Sequence, residues 1–168
     1  MKRIFAYLSV MLSLMLSAIP SSAQDNAKEV RKMTDELFSG YSGKKGFTSI
    51  SYSGKMLSMI TVSGNDPELS NLVGNIDLIR ILIEENPDSG QGAFFTRDLA
   101  KLEKAGTLVS SVNESGKDIK FYFKRDKDGS SCFLMVSHNQ GKTTVLNILG
   151  KFDVKDIRKL TDVSGKMK

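Results

Sequence analysis

The sequence predicts a single two-layer α+β domain, in which a largely antiparallel sheet of about six strands carries its helices on one face. Two observations support this fold class. The hydrophobic spacing alternates between helical and extended patterns in the first part of the chain. Four strand-like runs then follow one another, separated by glycines at Gly116, Gly129 and Gly141. Evenly spaced turns are typical of consecutive hairpins, so the last third is predicted to be a four-strand meander followed by a helix.

The elements before the meander are predicted in the order helix, strand, helix, strand, helix. Apolar residues spaced by three and four between Val30 and Tyr41 predict the first helix. β-branched and aromatic residues predict a strand at 47–53. Residues 54–62 fit either an extension of this strand or a short helix, and their Met and Leu content favours the helix. The remaining elements are a helix opened by the cap Asp66 and Pro67, a buried aliphatic strand at 76–83, and a helix with Phe94, Phe95, Leu99 and Leu102 on one face.

The second run of the meander alternates in a way that assigns its two faces. Ile119, Phe121 and Phe123 point to one face of the sheet and are predicted to be in the core. Because an antiparallel sheet can leave its other face in water, the opposite residues form a candidate interaction surface. This surface consists of Lys120, Tyr122 and Lys124. After the meander, Asp153 is the predicted cap of a final helix.

The N-terminus has the pattern of a secretory signal peptide. A positively charged start precedes an apolar segment of about 16 residues, which is shorter than the ~20 that a membrane-spanning helix needs. Small residues at the exit predict cleavage between Ala23 and Gln24, leaving no stable membrane span. The protein is therefore expected to be exported, to the periplasm or the medium. The chain divides into a cleaved signal peptide (1–23), one α+β domain (24–163) and a flexible tail (164–168).

The charge balance and the cysteine content exclude further classes. The chain has 24 Lys and Arg against 19 Asp and Glu, with the two signs interspersed. Such a surface is not typical of nucleic-acid binding, so no nucleic-acid partner is expected. Cys132 is the only cysteine, which rules out an internal disulfide. Its position in an apolar run predicts a buried, unreactive thiol.

One short stretch, Gly141-Lys142-Thr143-Thr144, looks like the end of a phosphate-binding loop. The complete motif requires a glycine where this chain has Val136, and it requires a helix immediately afterwards. The residues that follow are strand formers instead. We therefore predict a hairpin turn here and no nucleotide cofactor.

No combination of residues in the sequence forms a recognisable catalytic or metal site. His138 is the only histidine, and an enzyme hypothesis would have to pair it with carboxylates and a nucleophile. One His and one Cys are too few for a closed zinc site. The stretch Asp126-Lys127-Asp128-Gly129 lacks the spacing of a calcium loop and predicts a tight turn. We expect no catalytic, cofactor or metal-binding residue, and predict that the protein is not an enzyme.

Three stretches resemble a known family. They are "SGYSGKKGFTSISYSGKMLSMI" (39–60), "LIRILIEEN" (78–86) and "ILGKFDVKDIRKL" (148–160). Together they are similar to the DUF4252 family of uncharacterised exported proteins of Bacteroides-type bacteria. The resemblance implies export to the cell envelope, no assigned catalytic residue and an unassigned role with a link to envelope signalling.

Two functions from different classes fit these expectations. The first is a non-catalytic envelope module that binds an unknown protein partner, through Lys120, Tyr122 and Lys124 or through an edge strand. The alternative is a small-molecule or lipid binder with an apolar pocket between the helices and the sheet. That pocket would be lined by Met56, Met59, Phe94 and Phe95.

Overall fold

The computed structural model describes residues 27–61, 67–87, 90–114 and 116–157. The predicted cleavage site between Ala23 and Gln24, the cap Asp66 and the tail 164–168 lie outside the described residues. Within the described ranges, no helix is both long and apolar enough to cross a membrane.

The order of the elements agrees with the predicted order, and residues 54–61 are helical. In chain order the elements are α1 (Ala27–Tyr41), β1 (Phe47–Ser53), α2 (Gly54–Thr61), α3 (Pro67–Gly74), β2 (Ile76–Glu84), α4 (Gly92–Ala105), β3 (Leu108–Glu114), β4 (Lys117–Arg125), β5 (Ser131–Asn139) and β6 (Lys142–Gly150). A helical turn at 154–157 follows β6, and at its start the Asp153 backbone N–H donates to Asp156 Oδ2 over 2.8 Å.

The six strands form one antiparallel sheet in the order β1-β2-β6-β5-β4-β3. The predicted meander is the β3-β4-β5-β6 half of this sheet, and β2 pairs alongside β6. The predicted fold class is confirmed. The order places the aliphatic strand β2 inside the sheet and leaves β1 and β3 as its two edges.

The β5–β6 connection is the hairpin turn that the sequence predicts at Gly141. Asn139 pairs with Lys142, so the turn has only two central residues, Gln140 and Gly141. Their φ angles are 50° and 77°, the left-handed region that a type I′ turn requires at both positions. The phosphate-loop interpretation is excluded here because β6 begins at Lys142, where that motif needs a helix.

Apolar side chains cover both faces of the sheet. On one face, α1 and α4 bury residues that include Phe38, Phe95 and Leu102 against the central strands. On the opposite face, aromatic residues such as Phe121 and Phe133 pack with Leu57 of α2 and Ile157 after β6. The two long helices therefore share one face, as predicted, and shorter helical segments reach the other.

The prediction that Lys120, Tyr122 and Lys124 lie on an exposed face is wrong. They lie on the face that α1 and α4 cover, and Tyr122 is only 6 % exposed. The reason is that apolar residues on β5 and β6, such as Leu134 and Val145, lie on the same face and are stabilised by burial under the helices. Tyr122 fits the buried position because its ring packs in the core while its hydroxyl donates to Glu103 over 2.7 Å.

Candidate functional site

The edge strand β1 lacks the features that usually protect a sheet edge. Its seven residues include no charged residue and no proline, and it pairs with β2 without a register shift. The other edge, β3, ends in Glu114 and contains a register shift between Leu108 and Ser110. Charges and bulges discourage pairing with another strand. The edge of β1 is therefore the one open to strand addition.

The hydrogen-bond pattern shows which backbone groups of β1 face outward. The Glu85 N–H donates to the Gly46 carbonyl over 2.9 Å, which makes these two residues a hydrogen-bonded pair. Because bonded and non-bonded pairs alternate in an antiparallel ladder, Thr48, Ile50 and Tyr52 direct their N–H and C=O groups to β2. The residues between them direct these groups to the free edge. The outward set consists of Phe47, Ser49, Ser51 and Ser53. Two of its groups are already bonded: the Phe47 N–H donates to the Lys44 carbonyl over 3.1 Å, and the Ser53 C=O accepts the first bond of α2.

An open groove of about 470 Å³ runs between α1 and β1 on the helix-covered face. The small side chain of Ser51 leaves this space open beside the longer side chains of α1. The lining is mostly polar: Lys32, Asp35, Glu36, Phe38, Ser39, Ser42, Ser51 and Arg80.

The predicted apolar pocket is not this groove. Phe95 is fully buried in the core, whereas Phe94, Met56 and Met59 are exposed. The four side chains do not line a common cavity, so the predicted pocket residues are wrong. The reason is that Phe94 and Phe95 are adjacent on α4 and point in different directions.

Arg80 forms the floor of the groove and is fully engaged. Its guanidinium donates to Asn147 Oδ1 over 2.9 Å, contacts Asp35 Oδ1 at 2.7 Å, and lies 4.5 Å from the centre of the Phe38 ring. Asn147 in turn donates to the Phe133 carbonyl over 3.0 Å. This buried network fixes α1 against β2 and β6, and it balances the charge of Arg80 with that of Asp35.

A second polar cluster lies at the other end of the same face. Glu84, Thr143 and His138 occupy neighbouring positions on β2, β6 and β5. His138 Nδ1 lies 3.1 Å from Thr143 Oγ1, and Thr143 is paired directly with Glu84 across the β2–β6 ladder. Glu84 is 1 % exposed, and its Oε1 makes no hydrogen bond with the described part of the protein. Burial raises the pKa of Glu84, against the opposing effects of Thr143 and His138.

The cluster places the histidine and a carboxyl on either side of Thr143, and these are the two groups that the enzyme hypothesis would combine. The Thr143 hydroxyl, however, belongs to a buried residue and is not presented to a substrate.

The remaining candidate residues have structural roles in the fold. Cys132 is buried, and burial raises the pKa of its thiol to about 11. Asp128 Oδ1 accepts the Ser130 N–H over 2.9 Å, which closes the tight turn predicted there. Lys120 lies between Glu103 and Asp118, at 3.6 and 3.4 Å. In the described ranges, no group of three His, Cys, Asp or Glu side chains is arranged to hold a metal ion.

Sequence reasoning missed both the outward-facing edge of β1 and the Glu84–Thr143–His138 cluster. The composition of β1 was the available signal for the first, since a strand without charge or proline is unusual at an edge. The second had no local signal, because its three residues come from three strands.

Comparison with known proteins identifies a family for this chain. The model of a family described as "Domain of unknown function (DUF4252)" matches residues 41–160. Searches of curated proteins and of solved structures found no similar protein. The matched region includes all six strands and α2, α3 and α4.

Proposed function

Because the chain belongs to the DUF4252 family, whose description assigns no activity, we propose its function from its own surface. We propose that it is an exported, non-catalytic protein of the cell envelope that acts as a protein-interaction module in envelope signalling. The observation that supports this proposal is the free edge of β1. Export is proposed from the signal-peptide pattern of the first 23 residues.

The β1 edge suits recognition by strand addition. Ser49 and Ser51 present unpaired N–H and C=O groups, and Phe47 and Ser53 add one outward C=O and one outward N–H, so an extended peptide gains main-chain hydrogen bonds. The polar groove beside β1 receives the side chains of that peptide that point toward α1. Side chains on its other face meet Ile50, which is 38 % exposed.

A non-catalytic role is supported by the chemistry of the best-placed polar groups. The Thr143 hydroxyl is buried, and burial holds the Cys132 thiol in its unreactive protonated form. Neither residue therefore offers a nucleophile to a substrate. The buried Arg80 is neutralised by Asp35 and does not present a free cation to an anionic ligand.

Replacing Ser49 by proline tests the role of the edge. The Ser49 N–H faces outward, so Ser49→Pro removes a donor from the free edge and keeps every bond between β1 and β2. We expect the tagged full-length protein, isolated from its host, to lose its co-purified partner at least tenfold in Ser49→Pro. The co-purified protein is quantified by mass spectrometry, and thermal melting checks that the variant folds.

The matched control is Ser49→Ala, which removes the hydroxyl and retains the N–H. We expect it to behave like the unmodified protein. Equal recovery of the same partner by Ser49→Pro and Ser49→Ala would contradict recognition through the β1 edge.

A further inference from the structure

The edge of β1 is complementary to itself. We infer that the strand added at this edge is β1 of a second copy of the chain, paired antiparallel about a two-fold axis through Ile50. This inference rests on the proposed function, since it names the occupant of the same edge.

The register follows from the four outward-facing residues. With Ile50 on the axis, Phe47 lies opposite Ser53 of the second copy, and Ser49 lies opposite Ser51. Each Ser49–Ser51 pair exchanges two main-chain hydrogen bonds. Each Phe47–Ser53 pair makes one, from the Ser53 N–H to the Phe47 C=O, because the Phe47 N–H already donates to the Lys44 carbonyl and the Ser53 C=O accepts the first bond of α2. All four outward residues find a partner in this register, whereas an axis through Ser49 or Ser51 leaves one of them unpaired. The symmetric pairing about Ile50 therefore makes the most hydrogen bonds.

The side chains of β1 accommodate a second copy. The two Ile50 residues form a non-hydrogen-bonded pair, in which side chains approach most closely. Their contact buries an aliphatic side chain that is 38 % exposed in the single copy. On the other face, Ser49 and Ser51 oppose each other across the two copies, and both are small enough to avoid a clash.

The charges of β1 and of the groove do not oppose a second copy. A surface with a net charge repels its own copy, because two-fold symmetry brings like charges together. β1 has no charged residue, and the charges of the neighbouring groove are paired within the chain. Arg80 lies 2.7 Å from Asp35, and Lys32 lies 3.9 Å from Glu36. The edge and groove together present no excess of either sign to a symmetric partner.

Disulfide trapping at Ile50 tests the axis. In the inferred dimer the two Ile50 Cα atoms are about 4.5 Å apart, which is within the range of a disulfide. Cys132 is 1 % exposed and does not compete. We expect the full chain carrying Ile50→Cys to form a covalent dimer under mild oxidation, visible on a non-reducing gel and reversed by dithiothreitol.

Thr48→Cys and Tyr52→Cys are the matched controls. In this register Thr48 lies opposite Tyr52 of the second copy, so each control alone separates its two cysteines by about 13 Å. We expect at least tenfold less covalent dimer from either control alone than from Ile50→Cys. An equimolar mixture of the two controls should form a mixed dimer, because residues 48 and 52 are then neighbours.

Two outcomes overturn the self-pairing. One is an Ile50→Cys chain that stays monomeric like the single controls. The other is equal trapping of all three variants, which excludes the register. If trapping fails while Ser49→Pro still loses a different co-purified protein, the self-pairing is wrong and the proposed function stands. If trapping fails and Ser49→Pro has no effect, both are wrong.

Discussion

Replacing Glu84 by glutamine is expected to raise the free energy of unfolding at pH 7 by roughly 1–3 kcal/mol. Glu84 is 1 % exposed and has no cation in contact with it, and its Oε1 lacks a hydrogen-bond partner in the described structure. An ionised carboxylate at this position loses hydration that Thr143 and His138 replace only in part. Glutamine retains the size of the side chain and its capacity to hydrogen-bond, and it removes the charge. The measurement is urea unfolding at pH 7.

The effect depends on pH in a direction set by the raised pKa of Glu84. The folded protein keeps the proton at pH values where the unfolded chain has lost it. The effect of Glu84 on the free energy of unfolding is therefore most favourable below the pKa of the carboxyl in the unfolded chain, ordinarily about 4.3. The free energy of unfolding then falls as the pH rises toward the higher pKa of Glu84 in the folded protein. The advantage of Glu84→Gln should be absent near pH 4 and should grow toward pH 8. Two titratable neighbours interact with Glu84. His138 lowers the pKa of Glu84, and Glu84 in turn contributes to the raised pKa of Tyr41.

The neighbouring residue provides the control. Glu85 is exposed and accepts a hydrogen bond from Thr48 over 2.9 Å. Glu85→Gln should change stability by less than about 0.5 kcal/mol at any pH in this range. A Glu84→Gln variant that is less stable than the unmodified protein at pH 7 would show that the carboxylate is a net stabilising group, contrary to this account.

Truncating Phe95 to alanine is expected to cost about 3–5 kcal/mol of stability. Phe95 is fully buried, and its ring lies 5.0 Å from that of Tyr41 and 5.1 Å from that of Phe47. The three rings join α4 to the end of α1 and to the first residue of β1. Their loss leaves a cavity and weakens the support of the β1 edge. Thermal or urea unfolding measures the change.

Phe94 is the matched control because it has the same side chain one residue earlier on α4. It is 51 % exposed and touches Arg97 rather than the core. Phe94→Ala should cost less than about 1 kcal/mol. Equal losses from the two substitutions would contradict the assignment of Phe95 to the core cluster under α4.

Much of the fold could be predicted because its signals are local. The alternation in β4 and the glycines at 116, 129 and 141 specify hairpins within a few residues of chain. Each of these glycines adopts a positive φ of about 80°, which other residues resist. Helix caps and spacing likewise depend only on neighbours, so the order of elements followed from the sequence.

The features that were predicted wrongly or missed depend on contacts between segments that are distant in the sequence. The pattern of β4 separates Tyr122 from Phe121 but does not tell which face the helices cover. The sequence does not reveal that β1 lies at an edge, since strand order is set by how the long connections pack. The Glu84–Thr143–His138 cluster has the same origin, because strand pairing brings its three residues together.

Amide hydrogen exchange along β1 tests most directly the claim that its outer edge pairs with another strand. The N–H groups of Thr48, Ile50 and Tyr52 bond to β2 and should exchange slowly at every protein concentration. If the edge is paired, the outward N–H groups of Ser49 and Ser51 should be equally slow at high concentration and become fast on dilution. Fast exchange of Ser49 and Ser51 at all concentrations, beside a protected ladder, would contradict the pairing.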